Sequence, residues 1–213
     1  MRLRNKPWAM ELIESHPEIF ERFPSDWQGR WQEKFDNKNP LYVEVGTGKG
    51  QFVTRMAEAH SEVNFIGIEK YESVLVTGVQ RSVDCRQTNL RFLQEDVMNI
   101  TDFFQKDEVD RIYINFTDPW PKNKHAKRRL THEFFLEKYE SILKKSGEIH
   151  FKTDNQALFE YSIESLTQYG FRLKNVSLDL HNSAMTGNIM TEYEQKFANK
   201  GMRIYRLEAY LRS

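Results

Sequence analysis

The sequence predicts an α/β fold, a doubly wound, mostly parallel seven-stranded sheet, and two observations carry that prediction. Short apolar runs bounded by turn residues alternate with amphipathic stretches over most of the 213 residues, the pattern of strands joined by crossover helices. Four of the first five runs end in, or are closely followed by, an acid, and the first carries Glu44 just before its last residue. Ligands of open parallel sheets bind at the carboxyl ends of the strands. No repeat, low-complexity tract or linker interrupts the pattern, so we expect a single domain over 1–213, with 1–36 as a helical extension.

Residues 7–23 read as an amphipathic helix, with Trp8, Leu12, Ile13, Ile19 and Phe20 on its apolar face. Pro17 breaks it, and it stops before Pro24. Leu41–Val45 is a short apolar strand, Gly46–Gly50 a turn, and Gln51 to about His60 a helix. Asn64–Glu69 is the second strand and Tyr71–Arg86 the second helix. Leu90–Glu95, closed by Asp96, is the third strand, and Arg111–Phe116 the fourth. A helix is expected over Thr131–Leu143, and Lys144–Gly147 then turns into the fifth strand, Glu148–Lys152. Asn155–Gln168 is helical and Phe171–Asp179 is the sixth strand. A polar connection through Met185–Asn188 reaches a short helix at Glu192–Asn199, for which Gly201 is the stop. Met202–Leu211 is the last strand.

Composition narrows the class. At 39% hydrophobic the chain can bury a full core, and no apolar run nears the roughly 20 residues that span a bilayer. The N-terminal stretch is charged without an apolar centre, so no secretory signal is expected. Cys85 is the only cysteine, which excludes an intrachain disulfide and fits a cytoplasmic protein. Cys85 is expected to be buried and inert. Six scattered histidines lack cysteine partners at zinc spacing, so no metal is expected. Oligomeric state stays open between monomer and homodimer. The formal net charge is zero, so any nucleic-acid surface must come from local clustering.

The turn Gly46-Thr47-Gly48-Lys49-Gly50 permits positive φ and close approach of a ligand to the backbone. Its spacing departs from the dinucleotide fingerprint, and Glu44 beside it repels a pyrophosphate but attracts a cation. S-adenosylmethionine carries an ammonium and a sulfonium. Glu44 suits the ammonium end, Glu69 the ribose hydroxyls and Asp96 the adenine amine, over the cradle of Gly46, Gly48 and Gly50.

The fourth strand runs into Asp118-Pro119-Trp120-Pro121-Lys122. Prolines end strand pairing and fix φ, so this tip presents an acid, an aromatic face and a cation from a rigid frame. Lys122, Lys124, His125, Lys127, Arg128 and Arg129 follow. Such a run is either a solvated loop or a phosphate-binding surface, and its position beside the tip favours RNA. Trp120 is either a stacking platform or a loop anchor.

With these residues in view, Glu-Val-Gly-Thr-Gly-Lys-Gly together with Glu69 and Asp96 resembles the class I methyltransferases that use S-adenosylmethionine. Phe116-Thr117-Asp118-Pro119-Trp120-Pro121-Lys122 with Lys127-Arg128-Arg129 resembles the bacterial tRNA (guanine-N7)-methyltransferases. Lys152-Thr153-Asp154-Asn155 and Thr191-Glu192-Tyr193-Glu194 match the same pattern. The resemblance spans about Leu41–Arg206. It implies a Rossmann-like fold with an antiparallel last strand and methylation of a variable-loop guanine of tRNA. It also implies Asp154, Thr191, Glu192, Tyr193 and Glu194 on the guanine. Asp118 is expected at both cofactor and reacting base, where it accepts from the guanine Watson–Crick edge and stabilises the positive charge that reaches the purine. Spacing alone gives Thr153-x-x-Gln156 and Thr191-x-x-Glu194 another role, the capping box that starts a helix.

Guanine N7 has a free lone pair, so its methylation needs alignment rather than a base. An exocyclic-amine methyltransferase is the nearest rival, but its motif carries Pro-Pro and an aromatic after Asp or Asn, unlike Asp118-Pro119-Trp120. A non-catalytic RNA-binding module is the rival of another class, and the intact set of acids and glycines argues against it.

Overall fold

The computed structural model describes residues 6–211, so the two ends of the expected domain lie outside the described residues. The strands are β1 Leu41–Val45, β2 Asn64–Ile68, β3 Leu90–Leu93, β4 Val109–Asn115, β5 Leu143–Thr153, β6 Arg172–Ser177 and β7 Tyr205–Tyr210. They form one sheet in the order β3-β2-β1-β4-β5-β7-β6. The six other strands run one way and β7 runs opposite to them, antiparallel to both β5 and β6. From β1 the chain first adds strands on one side and then, with β4, on the other. That reversal opens a crevice at the carboxyl ends of β1 and β4.

The helices are α1 Ala9–Glu14, α2 Trp31–Phe35, α3 Gln51–Ala59, α4 Glu72–Asp84, α5 Ile100–Phe103, α6 Glu133–Ile142, α7 Gln156–Tyr169 and α8 Glu192–Ala198. Apolar side chains form two cores. Ile13, Phe52, Val53, Leu75, Val76, Phe65 and Phe92 belong to one. Trp31, Phe103, Phe135, Tyr139, Phe151 and Phe159 belong to the other. β2 is buried along its whole length, as expected of a strand inside a doubly covered sheet. Among the described residues no helix is long and apolar enough to cross a membrane.

The N-terminal segment differs from the single helix expected over 7–23. Helix α1 ends at Glu14. After Pro17 the chain runs beside β3, where Phe92 N–H donates to the Ile19 carbonyl at 2.7 Å and Glu21 N–H donates to the Phe92 carbonyl at 3.0 Å. Ile19 and Phe20 are buried by covering a sheet edge rather than by a helical stripe, and a covered edge is protected from pairing with other chains. Helix α2 falls within the helical extension expected over 1–36, and α5 is an addition to the expected elements. They meet where the Trp31 indole donates to the Phe103 carbonyl at 2.8 Å.

Lys144–Gly147 is no turn but the start of β5, whose register against β4 shifts between Val109 and Arg111. Helix α7 is capped by Asn155, whose Oδ1 accepts from Leu158 N–H at 2.8 Å, rather than by Thr153. Cys85 is exposed, not buried. Its thiol is pushed up by a hydrogen bond to Glu58 first and by burial second, which disfavours the thiolate.

β5 and β7 also bring together Glu148, His150 and Glu208, with one potential ligand atom of each within 4.8 Å of the others. These acids already have partners: His150 and Lys174 on Glu148, Arg206 and Asn175 on Glu208. We read the group as a compensated ion-pair network.

Candidate active site

Strand β1 ends against the turn that opens α3, and the glycines there are held in the left-handed region: φ is 71° at Gly46, 59° at Gly48 and 69° at Gly50. At Gly50 an added Cβ would lie 2.8 Å from the Phe92 ring and 2.9 Å from Gly78 Cα, so packing as well as φ demands glycine. At Gly48 an added Cβ would meet nothing within 4 Å, which leaves open space above the turn.

Glu44 lies beneath this cradle, only 3% exposed. The Asn115 amide donates to its Oε1 at 2.9 Å, and the Thr47 hydroxyl donates to its Oε2. Burial pushes its carboxyl up to about 7, against the pull of these two hydrogen bonds and of Lys152. Asn115 Oδ1 and Gln51 Oε1 are buried acceptors with no partner among the described residues. A buried acid whose hydrogen-bond partner Asn115 carries an orphaned acceptor fits a cationic donor such as an ammonium.

Glu69 follows β2. Its carboxylate accepts from the N–H of Gly48 and of Tyr71, both at 3.0 Å, which ties it to the glycine turn and leaves lone pairs free. Burial raises its pKa, and Asp118 adds to the rise. Asp96 follows β3 and caps the 3₁₀ turn Val97–Asn99, with Met98 N–H at 3.0 Å and Lys70 Nζ at 2.7 Å. Burial works against its charge, but these two donors hold its carboxyl below the usual range.

Past Asn115 the chain turns sharply, with φ 51° at Phe116 and 41° at Trp120. Left-handed backbone at such bulky residues costs about 1–3 kcal/mol each and persists only where the surroundings enforce it. Arg129 supplies part of that enforcement. Its guanidinium donates to the Pro119 carbonyl at 3.2 Å and, through Nη2, to the Trp120 carbonyl at 3.0 Å, and it lies 4.2 Å from the Tyr161 ring centroid. Arg129, expected on RNA phosphate, is thus turned inward onto the tip.

Trp120 is half-buried between Arg128, 4.8 Å from its ring, and His125 at 5.8 Å. The arrangement supports its role as a loop anchor. Asp118 stands exposed at the tip, and Lys122, Lys124 and Lys127 are exposed beside it. The 3₁₀ helix Asn123–Arg128 fixes how those cations are presented.

The remaining expected residues come from the end of β5 and the start of α8. Asp154 is half-buried, and burial pushes its carboxyl up. Tyr193 is 44% exposed and packs against Phe116 at 5.3 Å and Phe197 at 4.2 Å. Its phenol is raised by burial and then by the charges of Asp154 and Asp118, so these three side chains share one region. Thr191 and Glu194 form a capping box, as their spacing allowed. Glu192 pairs with Arg81 at 2.6 Å and Lys49 at 3.5 Å, pinning α8 to the glycine turn and to α4.

Glu194 is 0% exposed and meets Lys152 Nζ at 2.8 Å, so its carboxylate is directed inward in this structure. The reasoning from sequence missed Asn115, Thr47 and the partner of Lys152. A lysine directly after Ile149-His150-Phe151, within an expected strand, was the available signal, because lysine is almost never fully buried unpaired.

Comparisons with known proteins place the chain in a family. A methyltransferase family model matches residues 38–207. The tRNA (guanine-N(7)-)-methyltransferase of Halalkalibacterium halodurans is 61% identical over 213 residues, covering 100% of this chain and 97% of the relative. The chain belongs to the bacterial tRNA (guanine-N7)-methyltransferase family. The Lysinibacillus sphaericus member of this family is 56% identical over 210 residues, covering 98% of this chain and 97% of its own. Among solved structures, the 16S rRNA methyltransferase KamB superposes with a TM-score of 0.64 at 10% identity, over 87% of this chain and 94% of KamB. An antibiotic-related methyltransferase gives 0.61 at 18% identity, over 85% and 91%. At such identities these two speak for the Rossmann-like methyltransferase fold alone.

Proposed function

We propose that this family member transfers a methyl group from S-adenosylmethionine to N7 of a guanine in the variable loop of tRNA. The observation that carries the reading is the exposed carboxylate of Asp118, held on a braced tip between the glycine cradle and Tyr193. Glu44 and the orphaned Asn115 Oδ1 would hold the ammonium of the cofactor, Glu69 its ribose and Asp96 its adenine, over Gly46, Gly48 and Gly50. When bound, the cofactor supplies an electrophilic methyl on sulfonium.

The chain's own residues then have two tasks. Tyr193, with Asp154 and Thr191 beside it, orients the guanine so that N7 lies in line at about 3–3.5 Å. Asp118 faces the purine as positive charge arrives there, and a carboxylate at that point is worth more in the transition state than before it. No side chain need take a proton from N7.

The test uses unmodified tRNA transcripts, methyl-labelled S-adenosylmethionine and nucleoside analysis. Label in 7-methylguanosine at a variable-loop position supports the reading, and label on any other base atom sinks it. Lys122, Lys124, Lys127 and Arg128 are assigned to phosphates, which position RNA without reading sequence. Replacing Lys124, Lys127 and Arg128 together by alanine is expected to weaken tRNA binding and to lower the slope of log K against log salt by up to about 2–3 units. A slope equal to that of the parent protein would remove these residues from the interface.

A further inference from the structure

A second contact deep in the fold bears on the reaction. Between the short 3₁₀ turn Leu180–Asn182 and α8, residues 183–191 form no helix or strand, yet this segment delivers Thr191 and leads directly into Glu192 and Tyr193. A stretch without its own hydrogen-bond ladder needs external ties to hold a side chain within the fraction of an ångström that in-line chemistry requires.

One side chain beneath it supplies most of those ties. Lys152, 4% exposed at the end of β5, donates to Asn188 Oδ1 at 3.1 Å, to the Ile189 carbonyl at 3.0 Å and to Glu194 Oε2 at 2.8 Å. Two of its ammonium protons are thereby used on the segment and the third on the first turn of α8. The other oxygen of Glu194 accepts from the Asn188 amide at 2.6 Å and lies 3.3 Å from His181 Nε2, so the contacts form a closed ring. The aliphatic stem of Lys152 brings its ammonium within 4.9 Å of the Phe52 ring, on the helix that follows the glycine turn. Burial disfavours the ammonium, and Glu194 first and Glu44 after it are the acids that sustain it.

We infer that Lys152 is a positioning residue for methyl transfer: through Asn188, Ile189 and Glu194 it fixes the segment that places Thr191 and Tyr193 over Asp118. The inference rests on the function proposed above. It assigns Glu194 to the same inward clamp rather than to the substrate.

The experiment compares the parent protein with Lys152→Met, Glu194→Gln and the double variant. Glu194→Gln keeps a side chain that can complete the capping box. Lys152→Met leaves Glu194 buried without its cation, so its thermal stability should fall, and the double variant should recover most of that loss. The expected kinetic result is different. With tRNA transcripts, Lys152→Met should lose about a hundredfold in kcat/KM, while its calorimetric Kd for S-adenosylmethionine stays within about threefold of the parent value.

The double variant should remain as slow as Lys152→Met even though its stability has returned. Turnover that recovers in step with stability would reduce Lys152 to a structural ion pair and overturn the inference. A Kd for S-adenosylmethionine that rises as far as turnover falls would also overturn it, placing the effect on Glu44. If Lys152→Met does not fold, Glu194→Gln alone carries the test, with a loss in tRNA kcat/KM at unchanged cofactor affinity expected and equal kinetics overturning. Parent protein that makes no 7-methylguanosine marks failure of the proposed function itself, separately from these comparisons.

Discussion

Asp118→Asn should reduce kcat by about 10²–10³-fold, the range found when one preorganised electrostatic group is removed from a reacting centre. Its affinity for S-adenosylmethionine should stay within a few-fold of the parent value. The reasoning is differential. Before reaction the guanine is neutral, so the carboxylate gains little from it. As the methyl arrives, the purine acquires a positive charge that asparagine cannot balance. Ground-state tRNA binding, carried chiefly by Lys122, Lys124, Lys127 and Arg128, should change little, because phosphate contacts dominate affinity. Single-turnover rates with tRNA transcripts, alongside calorimetry for the cofactor, check both halves. An Asp118→Asn protein that turns over at the parent rate would remove Asp118 from the chemistry. One that has lost cofactor binding would make it a binding residue first.

The parts of this site that were legible in the sequence are those set by local chain geometry. Glu44, the three glycines, Glu69 and Asp96 sit at strand ends or in a strand–turn–helix unit, so their places follow once the strands are recognised. The rigidity of the tip could be read from Pro119 and Pro121. The enforcement of its backbone could not, because Phe116 and Trp120 take positive φ with no glycine to announce it. Arg129 illustrates the limit. In sequence it ends a basic run, whereas in the fold it is hydrogen-bonded to carbonyls nine and ten residues earlier.

Longer-range pairings were less legible still. Lys152 and Glu194 lie 42 residues apart, and no periodicity connects them. The N-terminal misreading has another origin. The apolar pair Ile19 and Phe20 fits a helical face as well as a strand edge, and only the free edge of β3 decides between them. The capping boxes divide in the same way. Thr191-x-x-Glu194 is realised, while Thr153-x-x-Gln156 yields to Asn155 because β5 continues through Thr153.

In the proposed ammonium site, Glu44 should make cofactor affinity depend on pH. Its ordinary value of 4.5 is pushed up to about 7, with burial as the first cause. The folded protein therefore binds this proton more tightly than the unfolded chain does. The group costs nothing below about pH 4.5, and its burial destabilises the fold progressively between 4.5 and 7. Above pH 7 the cost is constant at about 3 kcal/mol.

A cationic ligand favours the ionised form and offsets that cost. The groups facing Glu44 are the Asn115 amide, the Thr47 hydroxyl, the Val53 N–H and the Lys152 ammonium, and burial lowers the pKa of that lysine while Glu194 and Glu44 sustain its charge. The association constant for S-adenosylmethionine should accordingly fall about tenfold per pH unit below 7 and level off above it.

Glu44→Gln should abolish this dependence and weaken binding at pH 8 by about 10- to 100-fold, the loss of one charged hydrogen bond of about 1.5–3 kcal/mol. The same variant should melt higher than the parent at pH 8 in the absence of cofactor. A buried carboxylate is gone, and the Asn115 amide can rotate so that its unpartnered Oδ1 accepts from the new side chain. Calorimetric titrations from pH 5.5 to 8.5, on both proteins, decide the matter. A slope that persists in Glu44→Gln would assign the titration to another group and take Glu44 out of the ammonium site.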